Sequence, residues 1–359
     1  MSELEKELAE RGAGERDSSG EFTLDPAKAR LKLAKYQLET PHHFALNLVA
    51  SAIAGGATSI DVRQDADDFE LFSNCSPLEG EALRSLFSSQ PSRQLHELAI
   101  AVNGALALDP LSLTVESHGH RLQAAESPRV ESCPDRGGFR FHLKTAAPML
   151  KRLYTPASQL IESNLIAERC GLAPVQELTI HGRPARLAVQ LGSCRGYAIV
   201  PGRFRIGLVD CPEGRRYELP ASELHSAVLS YEETGQRPPL TVILDGVSFA
   251  SSEEVAPGIR TIVWTTGLDK DLSQAGLVRD QAWDSLLEWL EARSQDLLDQ
   301  LPRPAAAVPT CPSCSQGRLF QDCPLETEAG PLRVKVGSHW KPVVARVCEA
   351  CGYTSLRAI

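Results

Sequence analysis

The first part of the chain alternates between helical and strand periods of apolar residues. Residues 41–55 carry apolar side chains at helical spacing, with Pro41 at the first turn and Gly55 at the end. The segments that follow predict strands at 58–65 and 69–74, helices at 79–89 and 93–108, and strands at 111–126 and 137–145. This order predicts an α+β sandwich with helices on one face of a mostly antiparallel sheet.

A second run of elements extends to residue 301. It contains predicted helices at 156–172 and 281–301, and predicted strands at 175–182, 185–192, 196–202, 203–210, 240–246 and 260–266. Asp245-Gly246 is typical of a hairpin turn, and Asp271 or Ser273 is predicted to cap a helix. The pattern therefore predicts a second α+β domain.

Composition changes mark the domain boundaries. We predict five regions: an acidic mobile tail at 1–25, a first domain at 26–145, a second domain at 146–301, a proline-rich linker at 302–310, and a cysteine-bearing module at 311–359.

The charge of the chain argues against DNA and anionic membranes as partners. The chain of 359 residues has a net charge of −9, and residues 1–25 hold eight acidic groups against three basic ones. Such a chain has no evident electrostatic reason to bind DNA or an anionic membrane. It also carries neither a signal peptide nor 18 consecutive apolar residues, so we expect a cytoplasmic protein without a membrane span.

Two C-x-x-C knuckles lie near the end of the chain. Their four cysteines are Cys311, Cys314, Cys348 and Cys351, and 33 residues separate the two knuckles. Two such turns can hold one Zn²⁺ in a closed tetrahedral site, which leaves no coordination position for a substrate. The pattern therefore predicts a structural zinc ribbon, in preference to a redox pair or an iron–sulfur site. Cys323, between the knuckles, is expected to be unligated, and the alternative is that it substitutes for a knuckle cysteine.

The surroundings of the cysteines narrow their roles further. Residues 311–359 carry six Lys or Arg and four Asp or Glu, a surplus that a Zn²⁺ site with four thiolates cancels. A ribbon that stabilises the chain or docks a protein is thus favoured over one that binds nucleic acid. The other five cysteines are expected to be small buried hydrophobic residues: Cys75, Cys133, Cys170, Cys194 and Cys211.

The order and spacing of residues 26–300 resemble the GHKL superfamily, which includes DNA gyrase B subunits, a heat-shock chaperone and sensor histidine kinases. The segments that carry the resemblance are 41–55, "FELFSNCSPLEGEAL" and "RQLHELAIAVNGALAL". The resemblance implies a GHKL-like sandwich with an ATP and Mg²⁺ site, followed by a transducer-like second domain.

The residues at the implied ATP site depart from the family pattern. Asn47 stands where the family has a glutamate that activates water, and a carboxamide cannot act as that base. Ser51 stands where an asparagine holds Mg²⁺, a task a hydroxyl can still perform. Ser73 and Asn74 stand where an aspartate binds adenine, and Glu97 stands where glycines approach phosphate.

The resemblance also implies a basic residue from the second domain at the terminal phosphate. Four residues remain open for that position: Arg203, Arg205, Arg260 and Lys270. We assign no catalytic residue.

Three hypotheses follow for the function. The first is a GHKL-like regulatory or protein-interaction module with a divergent pocket, at most ATP binding and little hydrolysis. The second is an active ATP-dependent, chaperone-like ATPase, and the third is a zinc-ribbon protein that binds nucleic acid. The sequence indicates neither the protein partner nor the oligomeric state.

Overall fold

The fold is taken from a computed structural model of the full chain. The structure describes residues 38, 40–88, 92–125, 128–146, 160–232 and 239–301, and beyond them only six short strand-bearing segments. The described residues up to Leu298 form one compact unit, and those from Asp299 onward form a second.

The first unit contains an eight-stranded sheet in the order β5-β4-β3-β6-β2-β1-β7-β8. All neighbours are antiparallel except β1 and β7. Its strands are β1 Ser59–Gln64, β2 Asp68–Ser73, β3 Ser112–Ser117, β4 His120–Gln123, β5 Arg129–Ser132, β6 Phe139–Lys144, β7 Glu177–Ile180 and β8 Arg183–Pro184.

Helix α1, Phe44–Ala54, is the central helix of this unit. A 3₁₀ turn, Pro41–His43, leads into it. Phe44 packs against the sheet, with its ring centroid 5.3 Å from that of Phe69 and 5.7 Å from that of Phe141. The sequence predicted one buried face, but every residue from Phe44 to Ala52 is buried. The reason is that two neighbouring helices, Arg93–Leu106 and Ile161–Cys170, and the strand Val247–Ser251 also contact α1.

Three neighbouring helices form where the sequence predicted helices, but those predicted at 79–89 and 156–172 are shorter in the structure. They are α2 Gly80–Arg84, α3 Arg93–Leu106 and α4 Ile161–Cys170. The Ser92 hydroxyl caps α3 by accepting a hydrogen bond from the Leu95 amide at 3.3 Å. Gly104 lets α3 lie close to α1, because a Cβ at this position would stand 3.2 Å from the Cβ of Phe44.

A second sheet has six strands in the order β12-β10-β13-β16-β14-β15. These strands are β10 Gly196–Val200, β12 Arg215–Glu218, β13 Ser226–Tyr231, β14 Leu240–Leu244, β15 Val247–Ser251 and β16 Ile259–Thr265. The turn between β14 and β15 is Asp245-Gly246, with φ of 48° and 82°, so the predicted hairpin turn is confirmed.

The long helix α5, Gln281–Gln300, follows the second sheet. Its buried residues recur at helical spacing, and they are Trp283, Leu286, Leu290, Ser294 and Leu297. The Asp280 carboxylate caps it by accepting from the amides of Ala282 and Trp283. The prediction that Asp271 or Ser273 caps a helix is therefore wrong, because both residues lie in a turn.

Several local predictions differ from the structure for tertiary reasons. Helix α4 and strands β7 and β8 join the first sheet layer, although they follow the predicted boundary at residue 145. Of the predicted strand 203–210, only β11, Val209–Asp210, forms; it pairs in parallel with β9, Val189–Gln190. The backbone of Phe204 instead bonds to the Ser226 hydroxyl.

The second unit is described only through its strands. Strand β21, His339–Val347, is its longest and pairs antiparallel with three others, which are β17 Cys323–Pro324, β20 Arg333–Val336 and β22 Thr354–Ala358. Strands β18 Glu326–Thr327 and β19 Gly330–Pro331 pair with each other.

Helices packed on sheets confirm the α+β class. Within the described residues, no helix has the length and apolar character needed to cross a membrane.

Candidate functional site

The inner face of α1 lies against α3. Asn47 and Ser51 stand on this face one turn apart, and their exposed fractions are only 2% and 1%. The two α1 positions expected to lie at an ATP site are thus part of a buried helix–helix contact, where each polar atom needs a partner.

Asn47 donates a hydrogen bond to a buried carboxylate. Its Nδ2 lies 2.8 Å from Oε2 of Glu97, and the Nζ of Lys270 lies 2.7 Å from the same oxygen. The other oxygen, Oε1, is 3.2 Å from Nη2 of Arg93. The Glu97 side chain is 1% exposed and that of Lys270 is 4% exposed. We call Asn47, Arg93, Glu97 and Lys270 the Glu97 network.

A second carboxylate extends this network towards the β14–β15 turn. The Nε of Arg93 donates to Oδ2 of Asp245 at 3.0 Å. Burial raises the pKa of Asp245, although the Arg93 guanidinium opposes that rise. A third carboxylate, that of the exposed Asp269, lies 4.0 Å from Nη1 of Arg93, so three acids and two bases meet here. The left-handed conformation of Asp245, which the hairpin requires, thus also delivers a carboxylate to α3.

Lys270 reaches the network from a turn that follows β16. Its backbone pairs with that of Leu277. The Asp271 carboxylate accepts from the Ser273 hydroxyl at 2.7 Å and from the Ala275 amide at 3.2 Å, which fixes the turn. Gln274 from the same turn accepts from Asn47 at 3.4 Å.

Of the four basic residues left open by the sequence, only Lys270 joins the Glu97 network. Arg203 and Arg205 are exposed and line a cavity of about 690 Å³ together with Arg93 and Asp245. Arg260 donates to the carbonyl of Gln190 at 3.0 Å.

Ser51 is occupied by a different contact. Its hydroxyl donates to the backbone carbonyl of Gln94 at 2.9 Å. The Gln94 side chain then turns towards the 73–76 segment and donates to the carbonyl of Ser76 at 3.2 Å. A Cβ on Gly55 would lie 2.5 Å from Nε2 of Gln94, so this glycine gives the glutamine side chain its place. Gln94 therefore fills the space between the end of α1 and the turn after β2.

Ser73 is buried within the first unit, and Asn74 is hydrogen-bonded to backbone amides at the start of β1. Ser73 is fully buried at the end of β2. The Asn74 Oδ1 accepts from the amides of Thr58 and Ser59 at 2.8 and 2.9 Å, and its Nδ2 donates to the Thr58 hydroxyl at 2.8 Å. Asn74 thus anchors the start of β1 with its carboxamide, leaving little of its bonding capacity for a ligand.

The four cysteines of the zinc prediction, Cys311, Cys314, Cys348 and Cys351, lie outside the described residues. Cys323 belongs to β17. The zinc site therefore remains a prediction.

Among the described residues, one acidic group has the spacing of a metal site: Asp65, Asp67 and Asp68. Its geometry is that of a turn with ion pairs. Asp65 Oδ1 accepts from the amides of Asp67 and Asp68, and Asp68 contacts Lys144 Nζ at 2.9 Å and His142 Nε2 at 2.9 Å. These cations lower the pKa of Asp68 despite the opposing effect of burial. The arrangement is explained without a metal ion.

Comparisons with known proteins give a structural similarity but no match in sequence. No protein-family profile and no curated protein matches the sequence. Among solved structures, the chain is similar to the B-subunit of the DNA gyrase from Myxococcus xanthus, with 13% sequence identity and a TM-score of 0.47. The alignment covers 77% of this chain and 97% of that one. A similarity of this extent transfers no residue role.

Proposed function

We propose that this chain is a GHKL-like module that does not hydrolyse ATP and that acts through contacts with other proteins. One observation carries the proposal: the α1 face that would bear a catalytic glutamate bears Asn47, and Asn47 is hydrogen-bonded to the internal carboxylate of Glu97. The helices and sheet of the first α+β layer are present, whereas Asn47 and Glu97, at positions expected to face ATP, are hydrogen-bonded to each other.

The electrostatics of the Glu97 network oppose a bound triphosphate. A phosphate placed beside Asn47 would approach the negative charge of Glu97 in a buried setting, where the repulsion is weakly screened. Glu97 itself is a poor substitute for the missing base. Its Oε2 already accepts from Asn47 and Lys270, and its side chain is only 1% exposed, so little of the carboxylate is accessible to a water molecule.

The Mg²⁺ and adenine positions support the same conclusion. Ser51 is 1% exposed and donates to Gln94, so a metal ion at its oxygen would require α1 and α3 to separate. The side chain of Gln94 occupies the gap next to Gly55 and Ser76. The residues present therefore do not fit ATP and Mg²⁺ in this arrangement.

The same contacts suggest a positive role for the network. Arg93 and Glu97 come from α3, whereas Asp245 and Lys270 come from the turns of the second sheet. The network thus holds the second sheet against α3 without a ligand. We propose that this fixed pairing presents a constant surface to a protein partner in the cytoplasm.

For the C-terminal unit we propose a structural zinc ribbon. The cysteines of the second knuckle, Cys348 and Cys351, fall in sequence between β21 and β22, which pair antiparallel. Such a hairpin is the element on which a zinc knuckle is built, and Cys311 and Cys314 would complete the tetrahedral set. A role in stabilising the unit or in docking a protein follows.

The test is ATP hydrolysis and ATP binding by the full-length, zinc-loaded protein. We expect phosphate release at the background rate and an unchanged unfolding temperature with millimolar ATP and Mg²⁺. A ligand at a hundredfold excess over its Kd would stabilise the protein by about 2.7 kcal/mol, so binding in that range is detectable. Mg²⁺-dependent turnover that Asn47→Ala abolishes would overturn the proposal.

A second candidate function rests on the cations of the network. Asn47, Arg93 and Lys270 converge on one carboxylate, which is the arrangement that an anionic ligand needs. If the Glu97 carboxylate moves away from these donors, they can bind phosphate instead. The chain would then be a switch that binds ATP when the Glu97 network separates. This candidate predicts that the Glu97→Gln variant gains a saturable rise in unfolding temperature with ATP that the wild type lacks. No gain in a folded Glu97→Gln variant would exclude it.

A further inference from the structure

Two cysteines that are 17 residues apart in sequence meet in the first unit. The Sγ atoms of Cys194 and Cys211 are 2.9 Å apart. Cys194 follows β9 and Cys211 follows β11, and these two short strands pair in parallel with Val189 opposite Val209. Two parallel strands end at the same edge, so the chain segments that leave them are brought together.

The backbone around this thiol pair is shaped to admit both sulfurs. A Cβ on Gly214 would lie 2.4 Å from the sulfur of Cys211 and 2.5 Å from that of Cys194. Any other residue at this position would therefore force the two sulfurs to move. Cys194 belongs to a buried cluster with Val228 and Trp264, whereas Cys211 packs against that cluster and is partly exposed.

We propose that Cys194 and Cys211 form a reversible disulfide by exchange with a low-molecular-weight disulfide such as oxidised glutathione. The sulfurs need to approach by less than about 1 Å to reach the S–S bond length of about 2.05 Å. This role goes beyond the burial expected for scattered cysteines and is independent of whether the chain binds ATP.

The environment of each thiol gives the order of the steps. Burial raises the pKa of Cys194 to about 12, and the hydrogen bond with Cys211 adds to this effect. The partly exposed Cys211 is the thiol that an oxidant can reach. Its thiolate attacks one sulfur of glutathione disulfide and releases one glutathione thiolate. The Cys194 thiol then loses its proton to solvent, and its sulfur attacks Cys211 and releases the second glutathione. Two protein thiols are oxidised and one disulfide is reduced to two thiols.

The bond would restrain a defined segment of the molecule. It encloses Arg203, Phe204 and Arg205, which line the cavity of about 690 Å³. Closing a loop of this length lowers the entropy of the unfolded chain. For a unit of this size, we expect the oxidised protein to unfold about 5 °C higher than the reduced protein.

The experiment is peptide mapping of the full-length protein after equilibration with reduced and oxidised glutathione. Trypsin releases Cys194 in peptide 187–195 and Cys211 in peptide 206–215. We expect these two peptides linked, with the mass of two hydrogens lost, and separated again after reduction. Cys133 provides the internal control, because it is also partly exposed.

Three variants make the result decisive. Cys211→Ser should abolish both the linked peptide and the rise in unfolding temperature, while Cys133→Ser should retain both. Gly214→Ala should slow the linkage by pushing the sulfurs apart. The proposal is overturned if glutathione modifies Cys133 but no 187–195 to 206–215 linkage appears, or if Cys194 is linked mainly to another cysteine.

Discussion

The buried ion pair between Lys270 and Glu97 offers a direct test of the network. The perturbation is Lys270→Met, which keeps the length and the apolar stem of the side chain but removes its charge. Glu97 would then remain almost fully buried with one cation fewer. A buried carboxylate that loses a partner retains its full desolvation penalty, so the folded state should be destabilised.

The magnitude follows from burial and from the partners that remain. Breaking a buried ion pair costs about 3–5 kcal/mol. Asn47 and Arg93 still hold the carboxylate, at 2.8 and 3.2 Å, so we expect the lower end, about 3 kcal/mol. With an unfolding entropy of about 2.1 cal/mol/K per residue over the unit that ends at Leu298, the unfolding temperature should fall by about 5 °C.

The assay is urea unfolding followed by circular dichroism, with Lys144→Met as the matched control. Lys144 contacts Asp68 at 2.9 Å, nearly the distance of the buried pair, but these side chains are 39% and 29% exposed. Exposed ion pairs contribute below about 1 kcal/mol. The same substitution at nearly the same distance thus isolates the effect of burial.

A double-mutant cycle completes the test. Glu97→Gln removes the charge that Lys270 compensates, so the double variant should be more stable than the sum of the single effects predicts by at least about 1 kcal/mol. If Lys270→Met costs no more than Lys144→Met, and the two changes at the buried pair add, then the network does not stabilise the fold and the reasoning fails.

Three further predictions concern other parts of the chain. His42 and Glu162 form a pair 2.7 Å apart that should stabilise the fold most between about pH 4.5 and 6.5. The hydrogen bond to Glu162 raises the pKa of His42, although burial opposes this rise. Burial raises the pKa of Glu162, but its hydrogen bonds lower this pKa by more. The stability difference between wild type and Glu162→Gln should therefore shrink in urea titrations as the pH rises from 6 to 9 or falls below 4, and a pH-independent difference would contradict this. Gly246→Ala should destabilise by about 1–3 kcal/mol, because its φ is 82° and its Cβ would meet a side chain of α1 at 2.0 Å. Gly56→Ala, with φ of 78° and open space, should show the backbone strain alone, and equal losses would refute the steric part. Purified protein should contain one zinc ion per chain by elemental analysis, and replacement of either cysteine in the second knuckle by serine should remove it; a metal-free, folded C-terminal unit would disprove the zinc site.

The sequence predicted best the elements that are determined by neighbouring residues. Helix α1 was predicted at 41–55 and forms at Phe44–Ala54, because Pro41 and Gly55 define both ends locally. The Asp245-Gly246 turn likewise follows from two residues that tolerate positive φ. Each of these signals lies within a few residues of the structure it specifies.

Features that depend on distant pairing were beyond such signals. Strand β7 joins the first sheet by parallel pairing with β1, and about 115 residues of sequence separate the two strands. Nothing in the local alternation of 175–182 distinguishes that neighbour from the second sheet. The predicted strand at 203–208 does not form for a similar reason. The backbone of Phe204 is hydrogen-bonded to the side chain of Ser226, a residue distant in sequence.

The candidate site was predictable in part. The sequence indicated that Asn47 cannot act as a base and that Glu97 would repel a triphosphate. It left four basic residues open and gave no reason to choose Lys270, which lies 173 residues from Glu97. The role of Gln94 had no sequence signal either, since its importance comes from the space beside Gly55.

The charges around Glu97 determine the free energy that a nucleotide would need to supply in order to bind here. A site that binds an anion normally holds uncompensated cations, which favour the bound state. Here the carboxylates of Glu97 and Asp245 already contact the cations of Arg93 and Lys270, so the closed arrangement leaves no uncompensated cation for a ligand. If opening the network costs about 3 kcal/mol, as the buried pair implies, the apparent affinity of any ligand for the open form falls by about 100-fold. A ligand of micromolar intrinsic Kd would then bind only near about 0.1 mM, and hydrolysis would still lack a base. The closed network therefore favours a module whose working state is the ligand-free one.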